Sequence, residues 1–159
     1  MKRAYEPKAP DTDSARHWHP DIAAEPFLFR HSPSPITVLL VDDHEVVRTG
    51  CRLALENTPD IKVVAEAGDG YAGCTRYREH APDVVLLDLN MPGIDGIETI
   101  RRIKAQDPKA RILAFSSHID TRLIQRVLDA GATGYLNKRD SLQIAEAIRK
   151  AAREEMPWT

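Results

Sequence analysis

From residue 36 onward the chain alternates between short, continuous apolar runs and stretches whose apolar residues recur every three or four positions. ITVLLV (36–41) is apolar and rich in β-branched residues, the pattern of a strand buried on both faces. HEVVRTGCRLALEN (44–57) sets Val47, Cys51 and Leu55 on one helical face, and Pro59 stops it. IKVVAEA (61–67) predicts a second strand ended by Gly68-Asp69-Gly70, and 71–80 a helix of weaker pattern. Pro82 introduces a third strand, DVVLLD (83–88). After the loop NMPGIDG, Ile97, Ile100 and Ile103 mark a helix over 96–106. ARILAFS (110–116) predicts the fourth strand. Leu123, Ile124, Val127 and Leu128 predict a helix over 119–130 with Gly131 at its C-cap. ATGYLN (132–137) predicts a short fifth strand. Residues 141–153 predict the last helix, with Ser141 as N-cap and Ile144, Ile148 and Ala151 on one stripe.

Strands that alternate with helices through short connections predict a parallel sheet covered by helices on both faces. Right-handed crossovers leave few topologies. The expected fold class is a three-layer α/β, flavodoxin-like (βα)5 domain with strand order 2-1-3-4-5. In that order the crevice between strands 1 and 3, at their carboxyl ends, is the place for a ligand.

Residues 1–35 differ. Six of the eleven prolines (Pro7, Pro10, Pro20, Pro26, Pro33, Pro35) lie there without apolar periodicity, which predicts a flexible N-terminal tail. Trp18 and Phe27-Leu28-Phe29 are the residues that could pack onto another surface, an incidental tail being the other reading, and His17, His19 and His31 find no converging ligand set. The formal charge of -2 gives no basic footprint for nucleic acid. No apolar run approaches the roughly 18 residues of a membrane span, and the charged, proline-containing start lacks the apolar core of a signal peptide. Cys51 and Cys74 have neither metal nor redox spacing. A cytoplasmic protein without membrane contact is expected.

Three carboxylates carry the chemistry: Asp42 and Asp43 just past the first strand, and Asp88 at the end of the third. The expected strand order brings them together. Like charges in a crevice repel and raise one another's pKa. A hard divalent cation with oxygen ligands relieves this, and Mg2+ suits a small, partly hydrated carboxylate site. Ser116 ends the fourth strand and Lys138 follows the fifth, so the same sheet edge carries a hydroxyl and a cation. Together they supply what a phosphoryl group on Asp88 needs, a hydrogen-bond donor and a counter-charge.

VLLVDDHEVVRTG, DVVLLDLNMPGIDG, ILAFSSH and GATGYLNKRDS resemble the receiver domain of two-component response regulators, of the NarL/FixJ (LuxR) type. The resemblance covers residues 36–153; residues 154–159 then correspond to the start of a linker. It implies a regulatory domain, not an enzyme with a turnover substrate. Asp88 would be the phosphoacceptor. Asp43 would bind Mg2+ directly, Asp42 through water, and Asn90 through its backbone carbonyl. Ser116 would be the switch hydroxyl, Tyr135 the aromatic that follows it, and Lys138 the partner of the phosphoryl oxygens. Met91-Pro92 and Gly96 would shape the loop after Asp88. His118 would flank the phosphoryl group and modulate its hydrolysis. The implied partners are a sensor histidine kinase and a second copy of the chain, docked through the fourth helix, fifth strand and fifth helix. DNA would be reached only through an output domain beyond this segment; the other expectation is a stand-alone receiver acting through protein contacts or phosphorelay.

Two departures stand out. Ser116 replaces a common threonine and keeps the hydroxyl. Lys138-Arg139 replaces a common Lys-Pro, so the peptide bond is expected to be trans or strained, because a cis bond before arginine costs several kcal/mol. An aspartyl phosphatase of the haloacid dehalogenase type would need a second acid two residues after Asp88, where Asn90 stands. A dinucleotide site would need Gly-x-Gly-x-x-Gly after the first strand, and none occurs.

Overall fold

The structure, a computed structural model, describes residues 34–118 and 120–154. The expectations for the tail, including His17, His19, His31, Trp18 and Phe27–Phe29, and for residues 155–159, lie outside the described residues.

Among the described residues, five strands and five α-helices alternate. They are β1 (Ile36–Val41), α1 (Glu45–Glu56), β2 (Ile61–Ala67), α2 (Gly70–His80), β3 (Val84–Asp88), α3 (Gly96–Gln106), β4 (Ile112–Ser116), α4 (Thr121–Asp129), β5 (Gly134–Asn137) and α5 (Ile144–Ala152). The strands form one parallel sheet in the order β2-β1-β3-β4-β5. The strand alternation assigns side chains to two cores. Val38, Leu40, Val84, Leu86, Leu113 and Phe115 pack against Cys51 and Leu55 of α1 and Ile144, Ile148 and Ala151 of α5. Leu39, Val41, Val85, Leu87, Ile112 and Ala114 pack on the other face, against Tyr77, Ile97, Ile100, Ile103 and Val127 of α2, α3 and α4. β3 and β4 are buried along their whole length, so no polar alternation appears in their sequences. The three-layer architecture is the one the apolar runs predict.

Three aspartates start helices. Asp69, Asp95 and Asp120 accept from the backbone N–H groups of Ala72, Glu98 and Leu123 at 2.8, 2.8 and 2.7 Å. The start of the last helix departs from expectation. Ser141 is not its N-cap: a 3-10 segment, Lys138–Gln143, comes first, with the Asn137 side chain accepting from Arg139 N–H, and Gln143 occupies the N-cap position of α5 without a side-chain capping bond. Gly131 lies one residue beyond the C-cap Ala130 and has φ of +104°, a conformation glycine takes without penalty. No cis peptide bond occurs among the described residues, so Lys138-Arg139 is trans. At the edge, the β1–β2 register slips between Val38 and Leu39: Val38 faces Val63, whereas Leu39 faces Ala65.

Candidate functional site

Parallel pairing aligns Val41 with Leu87, Asp88 with Phe115, and Ser116 with Asn137. The residues just past these positions therefore rim one recess at the carboxyl edge of the sheet. Asp42 and Asp88 are buried there, Asp43 is half-buried, and His44 is exposed. One ligand atom from each of these four lies within 4.8 Å of the others.

Lys138 reaches the recess from the end of β5. Its Nζ donates to Asp42 Oδ2 at 2.6 Å and sits 3.2 Å from Asp88 Oδ1. The Phe115 ring lies beneath it, 5.5 Å from Nζ to the centroid. One ammonium thus bridges two carboxylates. Burial pulls the Lys138 pKa down, but the Asp42 hydrogen bond and the charges of Asp88 and Asp42 outweigh this and hold it above the ordinary lysine value. Asp88 is raised above the ordinary carboxylate range, first by burial and then by the Asp42 charge, against the Asn90 N–H and Lys138.

Asp42 is held on every side. Oδ1 accepts from the His44 backbone N–H at 2.8 Å, and Arg48 Nη1 donates to the Asp42 carbonyl at 2.7 Å. Arg48 is itself paired with Glu66 of β2 at 3.2 Å. Asp43 differs: its Oδ1 is buried and accepts no aligned hydrogen bond, although His44 Nδ1 lies 2.9 Å from it. A buried carboxylate oxygen of this kind is the donor a hard divalent cation takes, so these residues fit such an ion.

The other expected residues fall as follows. Asn90 is exposed, and its backbone N–H donates to Asp88 Oδ1 at 3.2 Å. Ser116 is fully buried beside the site, but its hydroxyl donates to the His118 carbonyl at 3.1 Å and accepts from the His118 N–H at 3.3 Å, so its bonds run to its own loop. Tyr135 is half-buried against the α2–α3–α4 core. His118 is exposed on the loop after β4. The loop after Asp88 is closed by the Gly96 N–H donating to Leu89 O at 3.0 Å. A Cβ on Gly96 would stand 2.5 Å from Asp88 O and from Leu89 Cα, so only glycine fits. The residue the sequence reading passed over is His44. Its signal was its place directly after the acidic pair.

A buried aspartate facing an acidic pair and a lysine, all at the carboxyl edge of a 2-1-3-4-5 sheet, defines a receiver. Residues 38–149 match the family described as response regulator receiver domain, and the chain belongs to it. Its relatives are regulators of the NarL/LuxR type. It is 45% identical over 121 residues to the transcriptional regulatory protein LiaR of Bacillus subtilis, covering 76% of this chain and 57% of LiaR. It is 45% identical over 115 residues to the response regulator UvrY of Escherichia coli K12, covering 72% of this chain and 53% of UvrY. The chain thus spans about half the length of the curated relatives it matches. Among solved structures, a LuxR-family two-component response regulator from Aurantimonas superposes with a TM-score of 0.73 at 40% identity, covering 76% of this chain and 86% of that one. The isolated receiver domain of RcsB from Salmonella enterica, solved with the phosphomimetic BeF3-, gives 0.65 at 28% identity over 74% and 90%. Among the described residues no helix is long and apolar enough to cross a membrane.

Proposed function

We propose that this domain is a phosphoacceptor switch: a sensor histidine kinase passes a phosphoryl group to Asp88, and the change drives an output. The observation that carries the reading is the Asp88 carboxylate, buried yet 3.2 Å from the Lys138 ammonium and grouped with the acids after β1. The Asp88 oxygen forms the new O–P bond as the N–P bond of the phosphohistidine breaks, and the imidazole leaves. Lys138 moves with the charge, because it already contacts Asp88 and holds an ammonium well suited to phosphoryl oxygens. Asp42, Asp43, Asp88 and the Asn90 carbonyl would hold Mg2+, which when bound supplies charge neutralisation at those oxygens.

The phosphorylated carboxylate gains roughly one to two negative charges and new acceptor oxygens. Ser116 then exchanges the His118 carbonyl for a phosphoryl oxygen, and Tyr135 moves into the space released. His118, on the same loop, sets access of water to the phosphoryl group. The altered surface is that of α4, β5 and α5, which is also where two copies would pair. A shift from 1:99 to 99:1 between resting and active forms needs about 5.5 kcal/mol of preference for the active form. The output is transcriptional: the relatives that this chain half covers include a transcriptional regulatory protein, and DNA would be bound by a separate domain of the kind LuxR-type regulators carry. The domain works in the cytoplasm, with its kinase.

Incubation with acetyl phosphate and MgCl2, followed by intact-mass and peptide mapping, tests this. The wild type gains one phosphoryl group on Asp88, and Asp88→Asn gains none. Full labelling of the variant overturns the assignment.

A further inference from the structure

We propose that His44 is an imidazole ligand of the acidic recess, which therefore takes nitrogen-preferring divalent cations such as Ni2+ as well as Mg2+. The proposal rests on the reading that the recess holds a divalent cation, and adds to it which cations the site selects. His44 occupies the N-cap position of α1, where a side chain usually turns onto the first helical N–H groups. Its ring makes no such bond. It turns back to the acids instead, with Nδ1 2.9 Å from Asp43 Oδ1 and 3.3 Å from Asp42 Oδ1.

These spacings are those of neighbouring ligands. Around an octahedral ion with bonds of about 2.1 Å, adjacent donors stand about 3.0 Å apart and opposite ones about 4.2 Å. The donor atoms of Asp42, Asp43, His44 and Asp88 all fall within 4.8 Å of one another, so a closure of roughly half an ångström would bring the widest pair to octahedral spacing. The oxygens of Asp42 are already taken, Oδ1 by the His44 N–H and Oδ2 by Lys138. Asp43 Oδ1, buried and without a hydrogen bond, faces the imidazole nitrogen across the shortest of these gaps. The side chain of His44 is 66% exposed, so its approach to an ion from the solvent side needs no rearrangement of the core. Carboxylates and carbonyls serve Mg2+, whereas imidazole adds affinity for Ni2+, Cu2+ and Zn2+ and little for Mg2+.

Isothermal titration calorimetry with NiCl2 and with MgCl2, on the full chain and on His44→Ala and Asp43→Asn, tests it. Ni2+ titrations are repeated in saturating MgCl2, so that only the Mg2+-competable binding is scored and other histidines of the chain drop out. Carboxylates alone already favour Ni2+ over Mg2+, so the wild-type ratio decides nothing; its change does. His44→Ala lowers the Ni2+-to-Mg2+ affinity ratio by about tenfold or more, and Asp43→Asn weakens both ions. An unchanged ratio in His44→Ala, with Mg2+ still bound, overturns the ligand role and leaves the cation site standing. Competable Ni2+ binding that survives Asp43→Asn also overturns it. A wild type that binds neither ion removes the cation site and this proposal together.

Discussion

Lys138→Met removes the ammonium that joins Asp42 to Asp88, and its cost follows from the geometry. At an effective dielectric of about 20, contacts of 2.6 and 3.2 Å correspond to gross attractions of roughly 6 and 5 kcal/mol. Desolvation of three charged groups cancels most of that. Removing one partner of a buried pair nonetheless costs about 3–5 kcal/mol, because the remaining charge stays buried. The Lys138 side chain keeps 16% of its exposure, which points to the lower end, about 3 kcal/mol at pH 7.5. The loss depends on pH in a definite direction. Asp88 already titrates above the ordinary range through burial and Asp42, and without Lys138 it titrates higher still. A carboxyl whose folded pKa exceeds its unfolded value of about 4 favours the fold most below that pH, and this contribution is lost as pH rises through the folded pKa. The gap between wild type and variant therefore widens from pH 5 to pH 7.5. Urea titration followed by circular dichroism reads it as a midpoint shift of about 1.5 M at pH 7.5, for a slope near 2 kcal/mol/M, and a smaller shift at pH 5. Equal midpoints at pH 7.5, or the same gap at both pH values, refute the account of Lys138 as a shared counter-ion.

Gly96→Ala places a methyl 2.5 Å from backbone atoms of Asp88 and Leu89, which cannot swing aside; a loss of about 2–3 kcal/mol and slower labelling by acetyl phosphate are expected, read by urea titration and mass spectrometry. Ile148→Ala empties a fully buried position between the sheet and α5 and lowers stability by about 3 kcal/mol. Leu142→Ala, at a fully exposed position, changes the same midpoint by less than about 0.5 kcal/mol. The Cys51 thiol is pushed up to about 11, chiefly by burial and then by Asp42. Native protein treated with iodoacetamide at pH 8 accordingly keeps Cys51 unmodified, and denaturant exposes it, as peptide mapping reports.

The sheet was legible because β1, β3 and β4 are buried on both faces and carry unbroken apolar runs. Once the strand order was inferred, Asp42, Asp43, Asp88 and Lys138 had to meet, since all follow strand ends on one edge. Other features lie below what periodicity resolves. Of the four apolar residues read into α4, only Val127 is buried; the spacing marks a face but not how far the neighbours close over it. Gly70 and Gly73 blur the pattern of α2 because they serve close packing, against Thr99 and Ile94 and against Val41. The 3-10 segment before α5 depends on the Asn137 side chain turning to Arg139 N–H, a local choice that competes with a serine cap at Ser141, about one turn further along the chain. The direction of the Ser116 hydroxyl and the return of the His44 ring toward the acids are likewise rotamer outcomes, with no trace in spacing.

The slipped register between β1 and β2 has a bearing on how such a molecule behaves when concentrated. β2 is an outer strand, and the residue inserted opposite Val38–Leu39 breaks the even row of free N–H and C=O groups that an incoming strand would need. The other outer strand, β5, is four residues long, too short a template for lasting backbone pairing with a stranger. The domain is thereby kept from zipping sheet to sheet, and encounters between copies are left to helix surfaces.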